Sequence, residues 1–191
     1  MFYIMRHGQT NANTANKAAG ITDVPLNDTG RAQAASAAEL IRPLGITRII
    51  SSDLLRAKET AQIVGKRLNV PVEYDPRIRE WNYGNMENTA ISAFTPAVFK
   101  LLVAEHNEFG AEPAVDIFRR IDGFLGELDL AQNILVVTHG AFMRSMMYYM
   151  EVYTKTGNKI DLDALIDFGF KRQIANAQVF AFQNKKFEPV R

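Results

Sequence analysis

The chain has 191 residues, 47% of them hydrophobic, which suffices for one well-buried core and is short for two independent domains. We therefore expect a single domain over residues 1–191. Twenty-two basic residues against 21 acidic ones leave a formal charge of +1, so no overall field favours a nucleic acid or an anionic membrane as partner. The chain contains no cysteine, which excludes a disulfide framework, thiolate zinc ligands and thiol catalysis.

Neither apolar run of any length predicts a targeting or membrane segment. Arg6 interrupts the N-terminal run where a signal peptide needs an apolar stretch. The run Ile134 to Met150 is short for a membrane span and contains His139 and Arg144. We expect a cytoplasmic protein, with which the absence of cysteine is only weakly consistent.

The first part of the chain alternates strand-like and helix-like stretches. Phe2 to Met5 predicts a buried strand, and Asn27 to Arg42 predicts a helix with capping oxygens supplied by Asn27, Asp28 and Thr29. Arg48 to Ile50 predicts a second strand, and the polar stretch from Ser51 to Asp53 is expected to cap the next helix. The buried face of that helix is expected to be Ala57, Ala61, Val64 and Leu68.

The remaining elements continue this alternation. In chain order they are a short strand Val72–Tyr74, an amphipathic helix Pro113–Leu130, a strand Ile134–Val137 with Thr138 as cap of the next helix, and a hairpin of Gln178–Phe182 and Lys186–Val190 turning at Asn184. This order predicts an α/β fold, a three-layer sandwich with a mostly parallel central sheet flanked by helices. Residues 85–112 form an insertion that is either a lid over a pocket or another core helix.

Two of the three histidines occupy the same local context. FYIM precedes RHG at residues 2–8, and ILVVT precedes HG at residues 134–140. Ligands of an open α/β sheet bind outside the carboxyl ends of its strands, so we expect His7 and His139 at one edge. Arg56 lies in the first turn of its helix, where the backbone N–H groups also favour an anion. We expect these residues and Arg6 to converge.

Such a cluster suits a phosphoryl group. Arginine forks match its equatorial oxygens, which makes Arg6 and Arg56 a clamp. Neighbouring cations disfavour a charged imidazole, so His7 is expected to be neutral and nucleophilic. The leaving oxygen needs a proton, for which Glu80 or Glu87 is the candidate.

The order RHGQTNAN, SSDLLRAKETA, an acidic segment and VVTHG resembles the histidine phosphatase superfamily, also called the phosphoglycerate mutase-like family, over nearly the whole chain. The resemblance implies that His7 becomes a phosphohistidine in a phosphate pocket formed with Arg6, Arg56 and His139. It also implies that Glu80 is the proton donor, and that no cofactor or metal takes part. Substrate contacts carried over by the same motifs are Arg6, Asn13, Arg56, His139 and Gly140, with Asn176 matching a late NA segment.

Two positions depart from the family pattern. Asn88 stands where the family usually has a glycine after the second glutamate, and the late motif reads NAQ instead of ending in a small hydroxyl residue. Neither removes a proposed catalytic group.

We therefore expect a metal-independent phosphomonoesterase acting on a small-molecule phosphate ester through a phosphohistidine. The alternatives are a phosphoglycerate mutase-type phosphotransferase and a phospho-ligand binding module without turnover. A structural role for His7 and a surface ion pair of Arg56 with Asp53 or Glu59 are the simpler readings of those residues. Lys171 and Arg172 either meet a second anionic group or form a solvated basic pair. The last strand is suited to pairing across a homodimer edge.

Overall fold

The computed structural model describes residues 1–129, 131–157 and 159–191, and it has a six-stranded sheet at its centre. The strand order is β3-β2-β4-β1-β5-β6. The strands are β1 Phe2–Arg6, β2 Arg48–Ser51, β3 Val72–Tyr74, β4 Ile134–Thr138, β5 Val179–Gln183 and β6 Lys186–Pro189. β1, β2, β3 and β4 are parallel to one another, while β5 and β6 complete the sheet in antiparallel pairing. The fold class predicted from the sequence is confirmed.

Seven α-helices flank this sheet in the described ranges. They are α1 Asn11–Thr14, α2 Asp28–Ile41, α3 Leu55–Leu68, α4 Pro96–Leu102, α5 Ala114–Leu125, α6 Gly140–Glu151 and α7 Leu162–Lys171. Short 3₁₀ helices lie at Arg42–Leu44, Pro76–Ile78, Gly84–Met86, Ile91–Ala93 and Tyr153–Lys155.

The two faces of the sheet carry separate apolar clusters because successive side chains of a strand point to opposite sides. On β1, Tyr3 and Met5 face α2 and α3, while Phe2 and Ile4 face the side of α5 and α6. All five residues of β4 are buried, as expected for a central strand covered on both faces. These layers produce the three-layer sandwich.

Local capping is where the sequence-based expectations were wrong. The N-terminus of α3 is not capped by Ser51, Ser52 or Asp53; its Leu55 N–H donates to Asp23 Oδ1 at 2.6 Å. Thr138 does not cap α6 either, because it belongs to β4 and its hydroxyl donates to the Ile78 carbonyl. In both cases a carboxylate distant in sequence accepts from the first N–H groups of the helix, Asp23 for α3 and Glu80 for α6. Local spacing along the chain cannot reveal such a partner.

The other boundaries agree closely with the sequence, with one helix shorter than expected. Asn27 caps α2 by accepting from the Gly30 N–H at 2.8 Å. The C-terminal hairpin turns at Asn184 and Lys185, both with positive φ. The expected helix Pro113–Leu130 ends at Leu125, with Leu130 outside the described residues.

The glycine of RHG is required by a close backbone approach. A Cβ on Gly8 would lie 2.4 Å from the Gly30 carbonyl oxygen, at the start of α2. A Cβ on Gly30 would in turn lie 2.1 Å from the Gln9 carbonyl oxygen. Only glycine at both positions lets α2 begin directly beside the end of β1. Across the described ranges, no helix is both long and apolar enough to cross a bilayer.

Candidate active site

The two histidines of the repeated sequence context meet at one edge of the sheet. β1 and β4 pair in parallel with Arg6 opposite Thr138, so His7 and His139 follow the ends of adjacent strands. The His7 N–H donates to the Thr138 carbonyl at 2.9 Å, and the two imidazole centroids are 5.3 Å apart. The expected convergence at the carboxyl ends of the strands is therefore observed.

His7 is held in the tautomer that a nucleophile needs. Its Nδ1 lies 2.7 Å from the Gly8 carbonyl oxygen. Because a carbonyl oxygen can only accept, Nδ1 carries the hydrogen and Nε2 keeps its lone pair. Burial, followed by the charges of Arg56 and Arg6, holds the pKa of His7 well below its usual range. The imidazole is neutral at pH 7, as expected from its cationic neighbours.

His139 is fully buried and has one free ring nitrogen. Its Nε2 lies 2.8 Å from Ser52 Oγ, at the end of the neighbouring strand β2. Among the described residues, its Nδ1 has no hydrogen-bond partner. Burial and the charge of Arg56, with smaller effects from His7 and Arg6, lower the pKa of His139 well below its usual range. An unpartnered ring nitrogen beside His7 is suited to a substrate oxygen.

Both predicted arginines line the same cavity, and each is anchored by backbone carbonyls. Arg6 Nη1 donates to the Ile174 carbonyl at 2.6 Å, and its buried Nε has no partner in the part of the chain described. Arg56 donates from Nη1 to the Thr22 carbonyl and from Nη2 to the Gly20 carbonyl. Burial lowers the pKa of Arg6 to about 10 and also lowers that of Arg56, and both stay charged at pH 7.

The structure separates the two candidate acids. Glu80 lines the cavity at the N-terminus of α6, where Oε1 accepts from the Trp81 and Phe142 N–H groups and Oε2 accepts from the Ala141 N–H. Glu87 points to a different partner, accepting from the Ile21 and Thr22 N–H groups and from the Thr22 hydroxyl. It is not among the residues that line the cavity.

The simpler interpretation of Arg56, a surface ion pair, is wrong. Asp53 pairs with Arg79, and Glu59 pairs with Arg31. Thr60 supports the site instead, since its hydroxyl accepts from the Gly8 N–H at 3.0 Å and donates to the Arg56 carbonyl.

The two asparagines and Gly140 surround the end of β1. Asn13 lines the cavity, and its Oδ1 accepts from the Thr10 N–H and from Asn176 Nδ2. Asn176 Nδ2 also lies 3.2 Å from the His7 carbonyl oxygen. A Cβ on Gly140 would lie 3.4 Å from Arg6 Nε, so the absence of a side chain at Gly140 leaves room for the Arg6 guanidinium.

The departures from the family pattern have local explanations. Asn88 has φ of 61°, in the left-handed region that glycine and asparagine adopt most readily. Gln178 of NAQ accepts from the Ala175 N–H through Oε1 and holds that loop together.

Arg144 was not among the residues predicted for the site. It lies one helical turn after Gly140 on α6 and lines the cavity. The spacing HGAFMR could have identified it, since residues four apart share a helix face. Of the basic pair considered instead, Lys171 is exposed and paired with Asp167, whereas Arg172 lines the cavity and is paired with Glu151. The third histidine, His106, is exposed in a bend after α4.

The cavity has a volume of about 320 Å³. Among the described residues, no group of three or more His, Cys, Asp or Glu side chains is arranged to hold a metal ion.

The sheet topology and the two histidines at its carboxyl edge define an α/β protein with a candidate active site at that edge, and comparison with known proteins gives the family. The model of the histidine phosphatase superfamily (branch 1) matches residues 2–165. The chain belongs to this superfamily.

Curated relatives and solved structures extend the comparison. The probable phosphoglycerate mutase GpmB of Yersinia pestis is 44% identical over 94 residues, which cover 49% of this chain and 44% of the relative. The chain thus spans less than half the length of the curated relatives it matches. A mycobacterial hydrolase is similar with a TM-score of 0.78 and 22% identity over 98% of this chain and 95% of that one.

Two further similar structures are of phosphatases. A mycobacterial glucosyl-3-phosphoglycerate phosphatase, complexed with VO3, has a TM-score of 0.76 and 24% identity over 98% of this chain and 96% of that one. A phosphoserine phosphatase mutant from Entamoeba histolytica has a TM-score of 0.76 and 21% identity over 100% of this chain and 94% of that one. At these identities the likeness shows the fold.

Proposed function

We propose that the protein is a phosphomonoesterase that works through a phosphohistidine at His7, without a metal. The observation that supports this most strongly is the neutral imidazole of His7, whose Nδ1 is bonded to the Gly8 carbonyl, near the charges of Arg56 and Arg6. Among the described residues, Nδ1 of the neighbouring His139 has no partner. A nucleophile with an available lone pair beside cationic donors suits attack on a phosphoryl group.

In the first step His7 Nε2 attacks phosphorus, the P–O ester bond breaks, and Glu80 gives a proton to the leaving oxygen. Oε2 of Glu80 accepts only one backbone N–H, so it retains a lone-pair site for that proton. Arg6, Arg56 and His139 stabilise the charge on the equatorial oxygens. Asn13 is proposed as a further substrate contact.

In the second step water attacks phosphorus, the P–N bond breaks, and its electron pair returns to His7 Nε2. The proton of the water passes to the Glu80 carboxylate, which restores the acid for the next cycle. Inorganic phosphate leaves. Both steps use the same set of residues.

The test is phosphate release from para-nitrophenyl phosphate in excess EDTA by wild type and His7→Ala. The proposal expects activity in the wild type that the variant loses, because no other side chain replaces the nucleophile. His106→Ala is the matched control, since it removes an exposed histidine outside the cavity. Undiminished activity in His7→Ala, or loss of wild-type activity in EDTA, would contradict the proposal.

A mutase-type phosphotransferase is the second candidate, and the similarity to probable phosphoglycerate mutases favours it. Such an enzyme passes the phosphoryl group from His7 to a second hydroxyl instead of water. Interconversion of 2- and 3-phosphoglycerate without phosphate release would establish it. Tight binding of phosphate esters with neither reaction would favour a binding module.

A further inference from the structure

The cavity contains more positive charge than one phosphate group requires. Its charged lining residues are Arg6, Lys17, Arg56, Arg144, Arg172 and Glu80. Arg172 is neutralised by Glu151 at 2.9 Å. The histidines are neutral, so the remaining charges are those of the four other cations and the Glu80 carboxylate. Their net positive charge is larger than the two negative charges of a phosphate monoester. A second anionic group on the ligand would offset this excess.

Arg144 is the cation whose position fits that second group. It is half-buried and, within the part of the chain described, makes no ion pair or hydrogen bond. Its Nη1 lies 3.9 Å from the position of a Cβ on Gly140, and Arg6 Nε lies 3.4 Å from the same point. The distance between Arg144 Nη1 and Arg6 Nε therefore cannot exceed the sum of these two distances. Arg144 thus lies next to the proposed phosphate pocket.

The electrostatic effect on Arg6 agrees with this closeness. After burial, the charge of Arg144 is the largest cause that lowers the pKa of Arg6. Two neighbouring guanidinium groups repel each other unless an anion lies between or beside them.

The remaining wall of the cavity is apolar and aromatic. Phe99 packs between Trp81 and Phe170, with ring centroids 5.0 Å and 5.9 Å apart. Phe94 and Ile91 line the same space. The indole N–H of Trp81 is buried and has no partner among the described residues. A ligand body with an apolar face fits this wall.

We propose that the cavity takes a small phosphate ester with an apolar or aromatic body and a second anionic group, and that Arg144 binds this second group. The proposal rests on the phosphomonoesterase function above and adds its substrate class. Lys17, exposed at the mouth of the cavity, attracts the doubly anionic ligand at longer range.

The test compares aryl phosphates that differ only in the second group. Phenyl phosphate is the reference, the ortho-, meta- and para-carboxyphenyl phosphates carry the anion, and the carbamoyl analogues are neutral controls of equal size. The phenylene bisphosphates distinguish a phosphate from a carboxylate as the second group. We expect at least one anionic isomer to exceed phenyl phosphate about tenfold in kcat/KM, the gain of one charge-assisted hydrogen-bonded pair.

Two variants of Arg144 are compared. Arg144→Met removes the positive charge, and Arg144→Lys keeps the charge but lacks the planar guanidinium group. The ratio of kcat/KM between anionic and reference substrates is compared within each variant, so a general loss of activity cancels. We expect Arg144→Met to abolish the ratio and Arg144→Lys to keep part of it. Arg119→Met is the matched control, because that side chain is 74% exposed on α5.

Failure of this proposal and failure of the proposed function give different results. Turnover of phenyl phosphate with no preference for any anionic isomer, or a preference that Arg144→Met retains, would overturn the second-anion site alone. If no aryl phosphate is turned over, the proposed function fails, and the same comparison is made on dissociation constants by calorimetry. Equal affinities for anionic and neutral analogues would then overturn the second-anion site as well.

Discussion

At the residue scale, the site depends on ring nitrogens whose hydrogens are set by their neighbours. The Gly8 carbonyl does this for His7. For His139 the neighbour is Ser52. The Ser52 hydroxyl oxygen accepts from the Leu54 N–H at 3.3 Å and lies 2.8 Å from His139 Nε2. We expect the hydroxyl to donate to Nε2, since among the described residues this nitrogen is the acceptor within reach of the hydroxyl hydrogen. Nδ1 of His139 then carries the hydrogen offered to the substrate.

Ser52→Ala should therefore lower kcat by about tenfold, the effect of one lost hydrogen bond that orients a group. Ser52→Thr, which retains the hydroxyl, should recover most of the rate. Ser51→Ala removes another buried hydroxyl that makes no bond to His139 and is the control. The pH profile of kcat separates positioning from folding, because only a change at His139 should move it. An unchanged profile and rate in Ser52→Ala would contradict this role.

The spatial convergence of the candidate residues was predictable where those residues lie within a motif. His7, Arg6, Arg56 and His139 were each predicted from strand ends and one helix start. Arg6, His7 and Arg56 line one cavity, and His139 lies beside His7, with ring centroids 5.3 Å apart. Ser52 and Arg144 were missed as partners of the site because their relation to it depends on how β2 and α6 pack. Spacing along the chain shows the face of an element but not the side chain opposite it.

At the element scale, two helix N-termini are completed by carboxylates from other parts of the chain. Asp23 accepts from the first turn of α3, and Glu80 accepts from the first turn of α6. The loop Gly20–Asp23 is in turn held by Glu87 on one side and by Arg56 on the other. A Cβ on Gly20, which has φ of 55°, would lie 2.2 Å from Glu87 Oε1. Glu87 thus fixes the loop that orients Arg56.

This arrangement predicts different kinetics for the two glutamates. Glu80→Gln should reduce the rate far more for an alkyl phosphate than for para-nitrophenyl phosphate, because only the poor leaving group needs a proton. Glu87→Ala should reduce both rates by a similar factor, about tenfold, by loosening Arg56. Steady-state kinetics with the two substrates measure the ratio. A leaving-group dependence in Glu87→Ala that exceeds that of Glu80→Gln would reverse the assignment.

The insertion at residues 85–112 illustrates why its role stayed open in the sequence. Its apolar residues divide between the cavity wall, at Phe94 and Phe99, and the core, at Leu102 and Val103. The helical part is short, Pro96–Leu102, with Thr95 as its cap. A stretch that serves both surfaces has no single periodicity to read. A lid movement of this segment stays a prediction.

At the scale of the whole molecule, two neutral, buried histidines make the folding stability depend on pH. They are His7 and His139, which follow the ends of β1 and β4. The pKa of each is lowered in the folded protein, chiefly by burial. The unfolded chain therefore binds more protons as the pH falls below 6.5, and the folded state loses stability in that window. Well above pH 6.5 neither form binds protons at these sites, and this contribution is fully present.

We expect the free energy of unfolding to fall between about pH 6.5 and about pH 5 by up to about 1.4 kcal/mol per pH unit for each histidine. Urea unfolding at several pH values measures the slope. His139→Asn should reduce it, while His106→Asn serves as a control at an exposed position. A wild-type slope that His139→Asn leaves unchanged would show that the buried imidazoles are not its source.

The overall architecture was the most predictable level, because alternating strands and helices admit few topologies. β4 lies between β1 and β2, an insertion that brings its HG motif beside RHG. The order of strands could not be read from the sequence alone. The strand order follows from the pairing of distant segments. The same long-range packing places the Glu80 carboxylate at the N-terminus of α6. Pairing of β6 across a homodimer edge also stays a prediction.

The most direct test of the central claim is to detect the phosphoryl group on His7 during turnover. Wild-type enzyme is mixed with para-nitrophenyl phosphate, quenched rapidly in alkali, and mapped by mass spectrometry. The mechanism predicts one phosphoryl group on the peptide containing His7, stable to alkali, lost in acid and absent from His7→Ala. Continued turnover with no phosphoryl group on that peptide, or labelling that persists in His7→Ala, would contradict the phosphohistidine mechanism.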